Sequence, residues 1–282
     1  MKRLLDMGSG SNSEESNIMF LMTFDEGIAR RPKHVFLTGA SGGIGQAIAR
    51  RMAADGYAFS LLANRHPERL IELQKEMEAL GAKTQILQAN VADRAALEIV
   101  FDRARSVFGP IDILINSAGI AQQKLFTEIS DEDWQQMLDV HLTATFHTCQ
   151  LVVPDMIRQH YGRIINITSI WGEAGASMEV HYSAVKAGII GLSKALAKEL
   201  GPSGITVNCV SPGVIDTEMN GNLSPETLQD LCEDTPLGRR GMPMDVAAAV
   251  AFLASDEASF ITGSSLAGKK RGQKLYNLFA RL

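Results

Sequence analysis

The chain has 282 residues, of which 45% are apolar and 21% charged, with a formal net charge of −5. That balance suits one substantial core and excludes a general nucleic-acid binder, whose affinity rests on a basic surface. Apolar runs are too short to span a bilayer, so no membrane partner is expected. The three cysteines, Cys149, Cys209 and Cys232, form no CxxC pair and no Cys/His ligand spacing. They read as reduced thiols in a cytoplasmic protein, with no metal site.

Residues 1–32 are polar and rich in Ser, Gly and Glu, without the apolar stretch of a secretory signal, and read as a poorly ordered extension. From residue 34 onward short β-branched runs alternate with longer helical stretches. Strands are expected at 34–38, 58–63, 84–89, 111–116, 163–168 and 205–210. Helices are expected near 43–55, 67–80, 93–107, 131–159, 181–200 and 243–254. The strands are apolar on both faces, as in a parallel sheet covered by helices on both sides. Repeated strand–helix units imply right-handed crossovers. The fold class is therefore α/β: one Rossmann-type domain over 33–267, a doubly wound parallel sheet with helices on both faces. Its ligand crevice should lie beyond the strands' carboxyl ends, at the loops after Thr38, Asn64, Asn90, Asn116, Thr168 and Val210.

The first of those loops reads TGASGGIG (38–45) and opens the first helix. Gly39, Gly43 and Gly45 allow a tight turn and close approach of backbone to a pyrophosphate. Together with Ser41 and Ile44 they are the candidate phosphate-side residues. A lone glycine triplet is also a plain turn; its place at the first strand–helix junction favours the dinucleotide reading. Cofactor choice turns on the end of the second strand, Asn64-Arg65-His66, where no acid stands to hold a ribose 2′-hydroxyl. Arg65 can pair with a 2′-phosphate, so NADP(H) is favoured, with NAD(H) open and a solvated loop charge the bland alternative.

Tyr182 and Lys186 are spaced i, i+4 in YSAVK at the start of a helix, and Ser169 ends the preceding strand. The spacing puts both side chains on one helix face. A free phenol ionises near pH ~10, and a neighbouring ammonium together with a positively charged oxidised nicotinamide favours its anion. Tyr182 can then pass a proton to a carbonyl oxygen while Ser169 holds that oxygen. On its own such a pair is more often packing plus a solvated charge; beside the glycine loop it reads as chemistry.

With TGASGGIG, NSAG (116–119), Ser169, YSAVK, VNCVSPGVIDT (207–217) and the segment 236–263, the chain resembles the short-chain dehydrogenase/reductase family over about 33–266. Within that family it is most like 3-oxoacyl-acyl-carrier-protein reductases and related alcohol dehydrogenases. The resemblance implies that Asn116, Ala118 and Gly119 border the adenine-ribose side of the cofactor. It implies that Tyr182 and Lys186 also contact the cofactor, Lys186 at the nicotinamide ribose. Pro212, Gly213, Ile215 and Thr217 would surround the carboxamide, and 214–240 would form a substrate lid. It further implies a homodimer or homotetramer.

Three departures stand out. His141 occupies the place of a family Asn that links the lysine to solvent, and reads either as a substitute relay or as a packed histidine. Asn90 stands where an Asp often meets adenine. After 267, GKKRGQKLYNLFARL carries five basic residues and no acid, a divergent tail that leaves the last strand incomplete. The expected activity is NADP(H)-dependent transfer of hydride between nicotinamide and a small carbonyl or alcohol, with a carrier-bound 3-oxoacyl thioester leading. A sugar, polyol or other secondary alcohol is the alternative substrate; a nucleotide-binding sensor or assembly protein without turnover is the alternative class. Trp171, Met178 and Met219 are the candidate substrate-side residues.

Overall fold

A computed structural model describes residues 31–218, 225–233 and 235–268. Most of the expected extension (1–32), the basic tail beyond Gly268, and Met219 lie outside the described residues. From Lys33 the chain runs β1 (His34–Thr38), α1 (Gly43–Met52), β2 (Ala58–Ala63), α2 (Arg69–Ala79), β3 (Lys83–Gln88), α3 (Arg94–Phe108) and β4 (Ile113–Asn116). The second half runs α4 (Asp131–Met137), α5 (Ala144–Gln159), β5 (Gly162–Ile167), α6 (Ile170–Ala174) and α7 (Val180–Leu200). It continues with β6 (Ile205–Ser211), α8 (Pro225–Glu233), α9 (Pro243–Ala254) and β7 (Ser265–Ala267).

All pairings are parallel, in the order β3-β2-β1-β4-β5-β6-β7. Strand order reverses between β1 and β4, which opens the ligand crevice above those two strands. Two apolar layers follow from alternation along each strand. Val35, Leu37, Leu61 and Ile115 pack with α1 and α9 on one face. Phe36, Leu62, Leu114 and Ile164 pack with α3 and α5 on the other.

The expected strands and long helices are present, and several differences have clear physical causes. The helix expected over 43–55 ends as α at Met52 and tightens into a 3-10 turn at Ala53–Asp55, closed by Gly56 at φ 77°. The helical region expected over 131–159 is continuous but carries a π turn at Leu138–Thr143. Two short helices, α6 and α8, were not expected. The last described strand is short: β7 pairs three residues with Cys209–Ser211. Edge strand β3 is mostly half-buried and begins with exposed Lys83, a charge that discourages pairing with another chain. Among the described residues, no helix is long and apolar enough to cross a membrane.

Candidate active site

The glycine loop is a cradle built from backbone. Gly39 sits at φ +67°, and a Cβ there would lie 2.7 Å from the Ala118 backbone. A Cβ on Gly45 would lie 2.3 Å from the Gly39 carbonyl oxygen. Gly43 brings Thr217 to the loop, 3.2 Å from its own hypothetical Cβ. Thr38, at the end of β1, accepts hydrogen bonds through Oγ1 from the Ser117 and Ala118 amides at 3.0 and 3.1 Å. That contact ties the loop after β4 to the loop after β1 across the switch point. The N-terminus of α1 has no side-chain cap and no acid in its first turn. An uncapped helix start behind a glycine cradle fits the pyrophosphate of a dinucleotide cofactor.

Ser169, Tyr182 and Lys186 are brought together on the neighbouring side of the crevice. Ser169 follows β5 and caps α6, its Oγ accepting from the Trp171 amide at 3.1 Å. Lys186 is buried; its Nζ donates to the Ile167 carbonyl at 2.9 Å and lies 5.4 Å from the centre of the Tyr182 ring. Burial pulls the Lys186 ammonium down to about 8. The Tyr182 phenol is pushed the other way: burial and the Glu179 carboxylate raise it above its ordinary value, against a hydrogen bond from Ser169. The cationic nicotinamide on which the expected acidic phenol also depends is not among these protein groups. They hold Tyr182 protonated, the form that can donate.

His141 lies in the π turn, buried, with its ring edge-on to Tyr182 at 5.5 Å and 90°. Its Nε2 lies 3.1 Å from the Ile120 amide nitrogen and 2.9 Å from the Ile120 carbonyl oxygen. A Cβ on Gly119 would lie 2.5 Å from the ring. Burial, then the Lys186 charge, hold the imidazole well below its ordinary range, so it is neutral. It clasps the segment that carries Ala118 and Gly119 against the tyrosine.

A cavity of about 550 Å³ reaches this region through Ile170 and Trp171, the residues after Ser169, and is lined also by Pro212, Ile215, Leu231, Val246 and Leu266; Ser169, Tyr182, Lys186 and His141 are not among its lining residues. It gathers Trp171 with the candidate carboxamide residues Pro212, Gly213 and Ile215. Met178, at φ +63°, stands apart from it, its carbonyl accepting from the Lys124 amide at 2.9 Å.

Two comparisons bear on identity. The family profile described as enoyl-(acyl carrier protein) reductase matches residues 39–268. The chain is 39% identical over 234 residues to a 3-oxoacyl-[acyl-carrier-protein] reductase of Staphylococcus aureus, covering 83% of this chain and 95% of that one. The chain belongs to the short-chain dehydrogenase/reductase family. It is also 41% identical to the 3-oxoacyl-[acyl-carrier-protein] reductase of Escherichia coli, and 40% identical to nodulation protein G of a Rhizobium species. Each match covers 83% of this chain and 94% of the relative. The protein is accordingly an oxidoreductase acting between carbonyl and alcohol.

As a member of this family, the chain uses some expected site residues differently. The Asn116 amide is spent in the interior: Nδ2 donates to Asn166 Oδ1 and Oδ1 accepts from Thr148, both at 2.9 Å. Asn90 is exposed and its Oδ1 accepts from the Ala92 amide at 3.1 Å. Arg65 is exposed at the end of β2, while nearby Arg69 pairs with Glu218 at 2.8 Å. Thr38 and Glu179 went unnoticed in the sequence. Thr38 was findable as a hydroxyl ending the first strand, and Glu179 as an acid three residues before Tyr182.

Proposed function

We propose that this short-chain dehydrogenase/reductase reduces 3-oxoacyl thioesters, presented on an acyl carrier protein, at the expense of NADPH. The observation that carries the reading is the convergence of Ser169, Tyr182 and Lys186 beyond the carboxyl end of β5, in the same sheet whose β1–α1 junction holds the glycine cradle. The two bacterial reductases named above supply the substrate class, by their names.

When bound, the nicotinamide supplies the hydride. The protein's own groups do the rest. The α1 N-terminus and the backbone of Gly39–Gly45 take the phosphates, and Arg65 takes the 2′-phosphate. Pro212, Gly213, Ile215 and Thr217 hold the carboxamide, and Lys186 the ribose. Ser169 donates to the substrate carbonyl oxygen, and Tyr182 delivers its proton to that oxygen as charge builds there. Lys186, with a charge already weakened by burial, stabilises the phenolate left behind. His141 stays neutral and acts by holding the 118–120 backbone.

The apolar cavity favours an acyl chain over a sugar or polyol, whose hydroxyls would need partners there. Exposed Phe146 on α5, with the small exposed residues Ala184, Ala187 and Gly191 on α7, suits a second copy of the chain, and the three free thiols fit a cytoplasmic setting.

The test is NADPH oxidation against 3-oxoacyl thioesters, sugars and cyclic ketones. Turnover of thioesters well above the rest is expected. Turnover confined to sugars or cyclic ketones would replace the substrate class, and normal NADPH binding without any turnover would favour a sensor.

A further inference from the structure

Glu179 is a half-buried carboxylate that takes no part in binding the cofactor or substrate in the reaction above. It stands at the N-cap of α7, yet its side chain makes no capping hydrogen bond. Its one hydrogen bond among the described residues comes from Gln123 Nε2, at a long 3.4 Å. Four carboxylates near the crevice are paired with cations: Asp133 with Lys124, Asp216 with Arg240, Asp245 with Arg239 and Glu218 with Arg69. Glu179 has no cation partner among the described residues.

Its position is fixed. The Met178 carbonyl accepts from the Lys124 amide at 2.9 Å, and the Glu179 carbonyl accepts from the Ser183 amide at 2.8 Å. The acid is therefore pinned between the 120–124 segment and the first turn of α7. Three residues separate it from Tyr182, which places the two one turn apart. A desolvated, unpaired charge costs stability, and such a charge held beside a reacting group is a mark of function.

We propose that Glu179 is a specificity-determining residue that turns away substrates carrying an anion beside the reacting carbonyl, so that uncharged 3-oxo esters and thioesters are reduced in preference to free 3-oxo acids. The inference rests on Tyr182 being the proton donor, as proposed above. An unscreened carboxylate repels a second carboxylate approaching the same oxygen-binding point, while an ester meets no such field. The burial that lifts the Glu179 carboxyl above its ordinary range also sets where the filter fades, since protonation removes the charge. The same charge keeps the phenol protonated. Facing Tyr182 are Glu179 and Lys186 from its own helix, neutral His141 from the π turn, and Ser169 after β5.

The experiment compares ethyl 3-oxobutanoate with 3-oxobutanoate as substrates for NADPH oxidation, in the wild type and in Glu179→Gln, Glu179→Ala and Glu179→Asp. The ester-to-acid ratio of kcat/KM should fall by about tenfold in the Gln and Ala variants, mainly because the acid improves, and persist in Asp. An ester-to-acid ratio within twofold of wild type in both neutral variants, with the ester still reduced, overturns the filter and leaves the proposed function standing. A wild type that binds NADPH but consumes neither compound overturns the role given to Tyr182, and this inference with it.

Discussion

At Tyr182, the hydroxyl is retained in its protonated form by burial and by Glu179, while the ammonium of Lys186 is itself weakened by burial. Removing the hydroxyl should therefore stop proton delivery without disturbing the cofactor site. Tyr182→Phe is expected to lower kcat by about 10³-fold or more while NADPH binding, followed by fluorescence, stays near wild type. Lys186 makes a separate thermodynamic prediction. Its folded value of about 8 lies below its ordinary 10.5, so the unfolded chain holds that proton more tightly. The cost to folding is complete below pH 8 and fades as pH climbs toward 10.5. Without NADPH, Lys186→Met should be more stable than wild type near neutrality, on the order of 2 kcal/mol after the lost Ile167 hydrogen bond. That gap should narrow over pH 8–10.5 in denaturant titrations. Arg65 belongs to the same scale: Arg65→Ala should raise KM for NADPH by about tenfold and leave that for NADH nearly unchanged.

Among the elements, the β1–α1 junction leaves least room for change. A methyl group at Gly45 would meet the Gly39 carbonyl oxygen and, at 2.8 Å, the Ala40 Cα, both backbone atoms that cannot swing aside. Gly45→Ala should cost about 1–3 kcal/mol in urea unfolding and abolish measurable NADPH binding. Such a junction was legible because glycine spacing after a β-branched run states a backbone requirement directly. The strands were legible for a similar reason: AFSLLA matches Ala58–Ala63 residue for residue, buried throughout. Other elements left no such trace. Ile170–Ala174 is too short to display a helical period, and Pro225–Glu233 lies in a stretch whose polar residues and glycines read as loop. The π turn at Leu138–Thr143 inserts one residue of drift that an apolar pattern does not record. At the site, Ser169, Tyr182 and Lys186 were visible from spacing. Glu179 and the inward use of Asn116 were not, because pairing and its absence are decided by segments distant in the chain.

Across the whole molecule, one line of polar contacts threads the interior from strand to strand. Thr148 on α5 donates to Asn116 on β4, Asn116 donates to Asn166 on β5, and Asn166 donates at 2.8 Å to Ser193 on α7. Cys209 on β6 closes the line, its Sγ donating to Ser193 Oγ at 3.1 Å. Asn116 and Asn166 face each other in the β4–β5 register, as Asn166 and Cys209 do between β5 and β6. Ser193→Ala breaks the line at one point and should cost about 1–3 kcal/mol in thermal unfolding, with activity per folded molecule preserved. Apolar side chains such as Ile113, Ile164 and Ile165 would pack tolerably in several alignments; the amides would not. If β5 slid by one residue during folding, Asn166 would point at hydrocarbon on the opposite face and Asn116 would lose its amide partner. Misaligned sheets are thereby penalised, and the buried amides work as a proofreading device for assembly.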